Sequence, residues 1–288
     1  MKVGVVFPQT EIGTDTKAIK DYVQACEGMG YDHLIAFDHV LGANSESRVG
    51  WAGSYSHVHM FHEPFVLFGF LSGITRRIKF VTAVIILPQR QSALVAKQAA
   101  ALDVLSEGRL RLGIGIGWNN VEYEALGENF HNRGIRSEEQ IEIMRALWTQ
   151  DLVTYDGRWH KIVDAGINPL PVQRPIPIWI GGGADVVLRR IAKIGDGWFP
   201  QVKPDVEGMG KIEKLWEYAR SEGREPSSIG IESWVSIRKK DGSIKDSIEW
   251  ENEIISWKRA GATHISVNTM DAGLDSPQRH IEAVASFK

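Results

Sequence analysis

Two spacings of apolar residues alternate along the chain. Short continuous runs occur at Val3–Phe7, His33–Phe37, Lys79–Leu87, 109–114, Ile178–Ile180, Gly197–Phe199, Ile229–Ile237 and His264–Asn268. Runs this short, closed by Pro, Gly or polar residues, read as strands buried on both faces. Between them apolar residues recur at helical spacing, as in Ile19, Tyr22 and Val23. This spacing predicts helices over 15–29, 64–74, 93–105, a stretch ending near Trp148, 184–193, 207–222, 246–259 and from Pro277.

Seven of the eight predicted strands lead directly into a helix, and one reaches its helix through a long loop. Such alternation gives a parallel sheet with helices outside. Eight units without a break predict a single α/β domain over 1–288, a closed (β/α)8 TIM barrel rather than an open doubly wound sheet. Two insertion loops interrupt it: 40–63, and 150–176 with Pro169, Pro171 and Pro175. Loops of that length in a compact domain are functional or locally folded.

The length of 288 residues suits one barrel. Lys and Arg total 33 against 36 Asp and Glu, a net charge of −3 with no charged tract. Without a basic face, nucleic acid and anionic membrane surfaces are excluded as partners. Cys26 is the only cysteine, so no intrachain disulfide or multi-cysteine metal site exists, and it reads as a small buried apolar residue. Met1-Lys2-Val3 runs straight into a strand without a signal-peptide pattern, and no apolar run reaches the roughly 18 residues of a membrane span. A cytoplasmic location is the expectation.

In a barrel of this kind chemistry gathers where the strands end. Asp38-His39 closes the second strand. An imidazole there suits proton transfer or contact with a reacting ring, and equally suits an ordinary loop in which Asp38 caps the turn. Gly181-Gly182-Gly183 lies between a strand and a helix. Its N–H groups can hold a phosphate, or it is a tight turn needing positive φ; three glycines exceed what one turn requires. Gly113, Gly115 and Gly117 are not a dinucleotide fingerprint, because Trp118 stands where that pattern needs glycine. They leave room on one face for a flat ligand or for a neighbouring side chain.

His57, His59 and His62 read as a lid or substrate wall rather than a metal site, since Pro8-Gln9 at the first strand end adds no ligand. No metal is expected. Of ten tryptophans, Trp51, Trp118, Trp179 and Trp198 fall in loops or at strand ends and could wall a flat cofactor. Arg189, Arg190 and Lys193 could reach an anionic tail or form a solvated helix face.

The ordered segments FDHV (37–40), VTAVIILPQ (81–89), RLRLGIGIGW (109–118), PIWIGGGA (177–184) and GDGWFP (195–200) span about two thirds of the chain. Together they resemble the luciferase-like flavin and deazaflavin oxidoreductases, above all the branch using coenzyme F420. The resemblance implies that Asp38 and His39 approach the deazaflavin, with His39 the catalytic proton carrier. It implies a non-prolyl cis peptide at Ala83-Val84 packed against the ring, a phosphate loop at Gly181, Gly182, Gly183 and Ala184, and a polar contact from Asn119. The sugar-phosphate dehydrogenases of that branch carry Glu at the position of Trp118, which argues against a sugar phosphate and for a more apolar wall. Glu122 is the nearest carboxylate and receives no role. The implied reaction is hydride transfer between F420 and a small organic substrate held under loop 40–63. The alternatives are an FMN-dependent monooxygenase served by a reductase, and a non-catalytic cofactor-binding barrel. An FMN phosphate usually attracts an arginine, and Arg189 and Arg190 are available to either cofactor. A homodimer is the family expectation, with the apolar 64–74 helix a candidate interface.

Overall fold

The computed structural model describes residues 1–239 and 241–287. The first half runs β1 (Lys2–Val6), α1 (Thr16–Gly28), β2 (His33–Ala36), α2 (Pro64–Ser72), β3 (Lys79–Thr82), β4 (Ile85–Ile86), α3 (Ser92–Leu105), β5 (Leu110–Gly115), α4 (Asn120–Ala125) and α5 (Arg133–Thr149). The second half runs β6 (Val153–Asp156), β7 (Lys161–Ala165), β8 (Ile178–Gly181), α6 (Asp185–Ile194), β9 (Gly197–Phe199), α7 (Val206–Ser221), β10 (Gly230–Ser236), α8 (Ser247–Arg259), β11 (His264–Asn268) and α9 (Pro277–Ala285).

Parallel pairing follows β3-β2-β1-β11-β10-β9-β8-β5, and β3 pairs with β5 to close the ring. The closed parallel barrel read from the sequence is the fold. One expected strand differs: Lys79–Leu87 is broken into β3 and β4, both paired to β5, with Ala83 and Val84 between them. Continuous apolarity hides such a break, because burial is the same on either side of it. The stretch ending near Trp148 is likewise two helices, α4 and α5.

Insertion 150–176 is locally folded as the antiparallel β6–β7 hairpin. It is tied back by Gln173, whose N–H and Nε2 donate to fully buried Asp103 at 2.9 and 2.7 Å. Among the described residues no helix is long and apolar enough to cross a membrane. Cys26 is buried, and burial pushes its thiol up to about 12, the behaviour of an inert core residue.

The end of the barrel where the strands begin is filled by charge. Glu232 on β10 is fully buried; it pairs with Arg111, lies 2.5 Å from His33 Nε2 and accepts from Ser266 Oγ at 2.6 Å. Burial works against its ionisation, but Arg111 and His33 outweigh that and hold it well below the carboxylate range. The Arg111 guanidinium lies 4.2 Å from the Trp179 ring centre, and that ring fills the space left by Gly197 and Gly230. Burial, with the Arg111 charge second, drops His264 to about 3.

Candidate functional site

At the opposite end, where the strands finish, Asp38 and His39 leave β2 and part company. Asp38 is buried, accepts the Ile86 N–H at 3.1 Å and meets Arg90 Nη2 at 2.8 Å, so it ties β2 to β4. Burial raises its pKa above the ordinary value against the pull of Arg90. Arg90 also reaches Glu63 at 3.0 Å, at the far end of loop 40–63. Neither sequence reading gave Asp38 this bracing role.

His39 turns instead to Glu122. Its Nδ1 lies 3.4 Å from Glu122 Oε1, which also accepts the N–H groups of Val40 and Leu41 at 3.0 and 3.3 Å. Gln89 Nε2 meets the other oxygen at 3.3 Å. The Glu122 side chain is only 1% exposed. Burial opposes its charge, yet the hydrogen bonds from His39, Gln89 and Leu41 together hold its pKa below the ordinary value. Glu122 is the partner of His39 that sequence reasoning passed over. The available signal was a carboxylate in the first turn of the helix entered from the glycine-rich strand end.

The Ala83-Val84 peptide is cis. Thr82 Oγ1 bridges the break, donating to Gly113 O at 2.7 Å and accepting the Gly113 N–H at 2.9 Å. A Cβ on Gly113 would lie 1.8 Å from Thr82 O, one on Gly115 2.5 Å from Val84 Cγ2, and one on Gly117 2.8 Å from Ile86 Cγ2. The strand glycines therefore make room for the Thr82 carbonyl and for the Val84 and Ile86 side chains, as the neighbouring-group reading of that face expects. Gly181 serves the same residue: its Cβ would sit 3.1 Å from Val84 Cγ1.

Gly182 has φ +131°, a conformation that glycine adopts freely. Its N–H reaches Phe199 O at 3.3 Å, and Trp198 Nε1 donates to Gly182 O at 2.6 Å. The N–H groups of Gly183 and Ala184 find no acceptor among the described residues. Lys211 Nζ, paired with Glu207 at 2.8 Å, lies 3.6 Å from the place of a Gly183 Cβ, a cation the sequence did not suggest. Arg189 is held by Asp185 at 2.9 Å, and Arg190, 3% exposed, by Glu138 at 2.9 Å. Lys193 lines a separate hollow with Arg145 and Arg224. Asn119 is buried, caps α4 by accepting the Val121 N–H at 3.1 Å and donates to Leu41 O at 3.5 Å.

Loop 40–63 folds over His39. The His57 N–H donates to Ala43 O at 3.1 Å, and a Cβ on Gly42 would lie 2.3 Å from the Ser56 carbonyl carbon. Trp51 sits 5.7 Å from Trp118, which in turn lies 5.8 Å from His39. Phe61 and Tyr55 face His39 at 4.8 and 5.1 Å. A cavity of about 340 Å³ remains between His39, Leu41, Tyr55, His57, His59 and Phe61. His57 and His59 are thus part of its wall. Among the described residues no group of three or more His, Cys, Asp or Glu side chains could hold a metal ion. Trp179 lies deep in the barrel interior instead of at this mouth, and Trp198 is fully buried.

Buried polar atoms without partners gather around this end, among them Gln9 Oε1, Thr10 Oγ1, Gln89 Oε1 and Trp51 Nε1. Such atoms are normally met by a ligand or water. With the open N–H groups of Gly183 and Ala184 beside Lys211, they fit a polar, phosphate-bearing cofactor lying across the strand ends.

The family model for luciferase-like monooxygenases matches residues 1–270. An uncharacterized protein of Mycobacterium tuberculosis is 37% identical over 67% of this chain and 68% of its own length. The FMNH(2)-dependent dimethylsulfone monooxygenase of Pseudomonas putida is 31% identical over 62% of this chain and 49% of its own. The F420-dependent glucose-6-phosphate dehydrogenase of Segniliparus rotundus is 28% identical over 63% of this chain and 52% of its own. In structure, an F420-dependent secondary alcohol dehydrogenase in complex with an F420-acetone adduct superposes with a TM-score of 0.77 at 18% identity, covering 98% of both chains.

Proposed function

Because this chain belongs to the luciferase-like monooxygenase family, we propose that it is an oxidoreductase passing a hydride between coenzyme F420 and a small organic substrate. The observation that carries the reading is the His39–Glu122 couple, its carboxylate buried and its imidazole half-buried in the wall of the cavity under loop 40–63. A flavin or deazaflavin fits the family, and the relatives include users of each. F420 is favoured on the resemblance carried by the strand-end segments; the cations near the glycine loop do not separate the two cofactors, since Arg189, Arg190 and Lys211 are all paired, with Asp185, Glu138 and Glu207. An FMN-dependent monooxygenase supplied by a reductase is the second reading, supported by the Pseudomonas relative. In either case Gly182, Gly183, Ala184 and Lys211 would hold the phosphate, and the Ala83-Val84 turn would lie against the ring.

The cofactor supplies two electrons as a hydride when bound. The protein's own part is to orient, exclude water and manage one proton. Glu122 fixes the imidazole with Nδ1 inward, which leaves Nε2 to meet the substrate. A carboxylate at Nδ1 also compensates the charge while His39 carries the proton, as a third group steadies the base in other proton-relay sites. Trp118, Trp51 and Phe61 keep water from the reacting pair.

Tryptophan fluorescence titration separates the two cofactors. F420 should quench the signal with an affinity about 100-fold or more above that of FMN; the reverse order would move the protein to the monooxygenase reading, and no response to either would remove both.

A homodimer is part of the proposal. Val66 and Phe70 on α2 are 72% and 40% exposed and Leu94 on α3 is 52% exposed, on two helices that pack together. Exposed apolar side chains of this size on two packed helices are candidates for an association face. Light scattering should give twice the chain mass of 32.2 kDa; a mass of one chain would reject the dimer.

A further inference from the structure

Arg90 closes a ring of contacts around His39. Its Nη2 donates to Asp38 Oδ1 at 2.8 Å, and Asp38 is the residue before His39. Its Nη1 donates to Glu63 Oε1 at 3.0 Å, and two residues before Glu63 stands Phe61, whose ring lies 4.8 Å from the imidazole. The two arms differ in kind. The Asp38 side chain is 1% exposed and that of Glu63 33%, so water weakens the second arm and hardly touches the first. Arg90 itself is fixed to the barrel. Its N–H reaches Leu87 O at 3.0 Å, and its carbonyl accepts Nε2 of fully buried Gln140 on α5 at 2.9 Å. Each carboxylate also holds a backbone N–H with its other oxygen, Asp38 that of Ile86 at 3.1 Å and Glu63 that of Val66 at 2.8 Å. Arg90 is not among the residues lining the cavity, so its effect on chemistry there is indirect.

We infer that Arg90 is a positioning residue: one guanidinium sets His39 from the strand side and the wall facing it from the loop side. The inference rests on the proposed reading of His39 as the proton carrier. A planar guanidinium holds its two donor arms in fixed geometry, whereas an ammonium on a flexible stem is a point charge and cannot keep two carboxylates in register. The spacing between the imidazole and the opposing wall is then a property of the fork. Such precision matters because a misplacement of about 1 Å can cost roughly 10²-fold in rate.

NMR of the purified protein tests this. The Cε1–H signal of His39 is displaced by the rings of Phe61, Tyr55 and Trp118, so it reports where the imidazole sits. Arg90→Gln should move that signal and speed amide exchange at both Ile86 and Val66 by about tenfold, the loss expected when a charged partner goes. The Val3 amide, held by Asp32 at 2.9 Å at the other end of the barrel, should keep its rate. Arg90→Lys should restore Ile86 alone, since the buried carboxylate keeps the single charge. Glu63→Gln, a mild change on the exposed arm, should move the His39 signal in wild type and leave it in place in Arg90→Lys protein, where that arm is already gone. This last comparison decides the matter if Arg90→Gln does not fold. An equal shift in both backgrounds or none in wild type, equal acceleration at Val3, or full rescue of both amides by lysine would overturn the inference. None of these readings needs a cofactor, so a failure of F420 to bind would remove the proposed chemistry and leave them standing.

Discussion

His39→Ala should lower kcat by roughly 10²–10⁴-fold, the usual share of a positioned proton carrier. F420 affinity should stay within about threefold of wild type, because a mutation removing a transition-state interaction spares ground-state binding. The contrast follows from geometry. His39 is locked by Phe61, Tyr55 and Trp118 and steered by Glu122, whereas the proposed phosphate cradle lies in the loop after β8. Glu122→Gln should fall between wild type and His39→Ala. It keeps an acceptor for the Val40 and Leu41 N–H groups but loses the charge that compensates a protonated imidazole. Single-turnover kinetics beside a binding isotherm check this pair of variants. Equal losses in rate and affinity for His39→Ala would make the residue a cofactor contact and nothing more.

Arg111→Met should destabilise the protein by about 3–5 kcal/mol at pH 7, the usual consequence of removing one partner from a buried ion pair. Glu232 would remain in the barrel interior with His33 and Ser266 but without its strongest counter-charge. The pH dependence gives a second reading. Since the folded pKa of Glu232 is depressed, its contribution is present above the ordinary carboxylate range and is lost as pH falls below it. The deficit of the variant should therefore shrink as pH falls from the ordinary carboxylate range towards the depressed folded value of wild-type Glu232. Burial is the chief reason His264 sits at about 3, but Arg111 is the next, so His264 should titrate higher in the variant. Urea denaturation at two pH values and an NMR titration of His264 check both statements. A loss below about 1 kcal/mol would mean that the network is replaceable by apolar packing.

The barrel was legible because parallel strands buried on both faces announce themselves as short apolar runs, and the helices between them keep their own period. His39 was legible as a titratable group at a strand end. Three features were not. The break at Ala83-Val84 lies inside unbroken apolarity. Glu122 earns its role only through the approach of β2 and α4, which are about eighty residues apart in the chain, and no local pattern records that distance. Gly113, Gly115 and Gly117 fit a flat ligand and a neighbour's side chain equally well in one dimension; only the positions of Thr82, Val84 and Ile86 decide. The partners of the arginines after the glycine run were hidden for a similar reason, since they lie on the same helix or on α5.

One carboxylate performs two tasks here, and that has an evolutionary cost. Glu122 steadies His39, the proposed proton carrier, with the same oxygen that clips the start of loop 40–63 through Val40 and Leu41. A change there alters chemistry and substrate entry at once, so selection cannot adjust one without the other. The far side of the loop is free of that constraint: Ser45 to Gly50 is exposed and touches neither His39 nor the cavity. That outer segment is therefore the part of the loop most free to vary without disturbing the cavity wall, because the two ends stay bolted to Glu122 and, through Glu63, to Arg90.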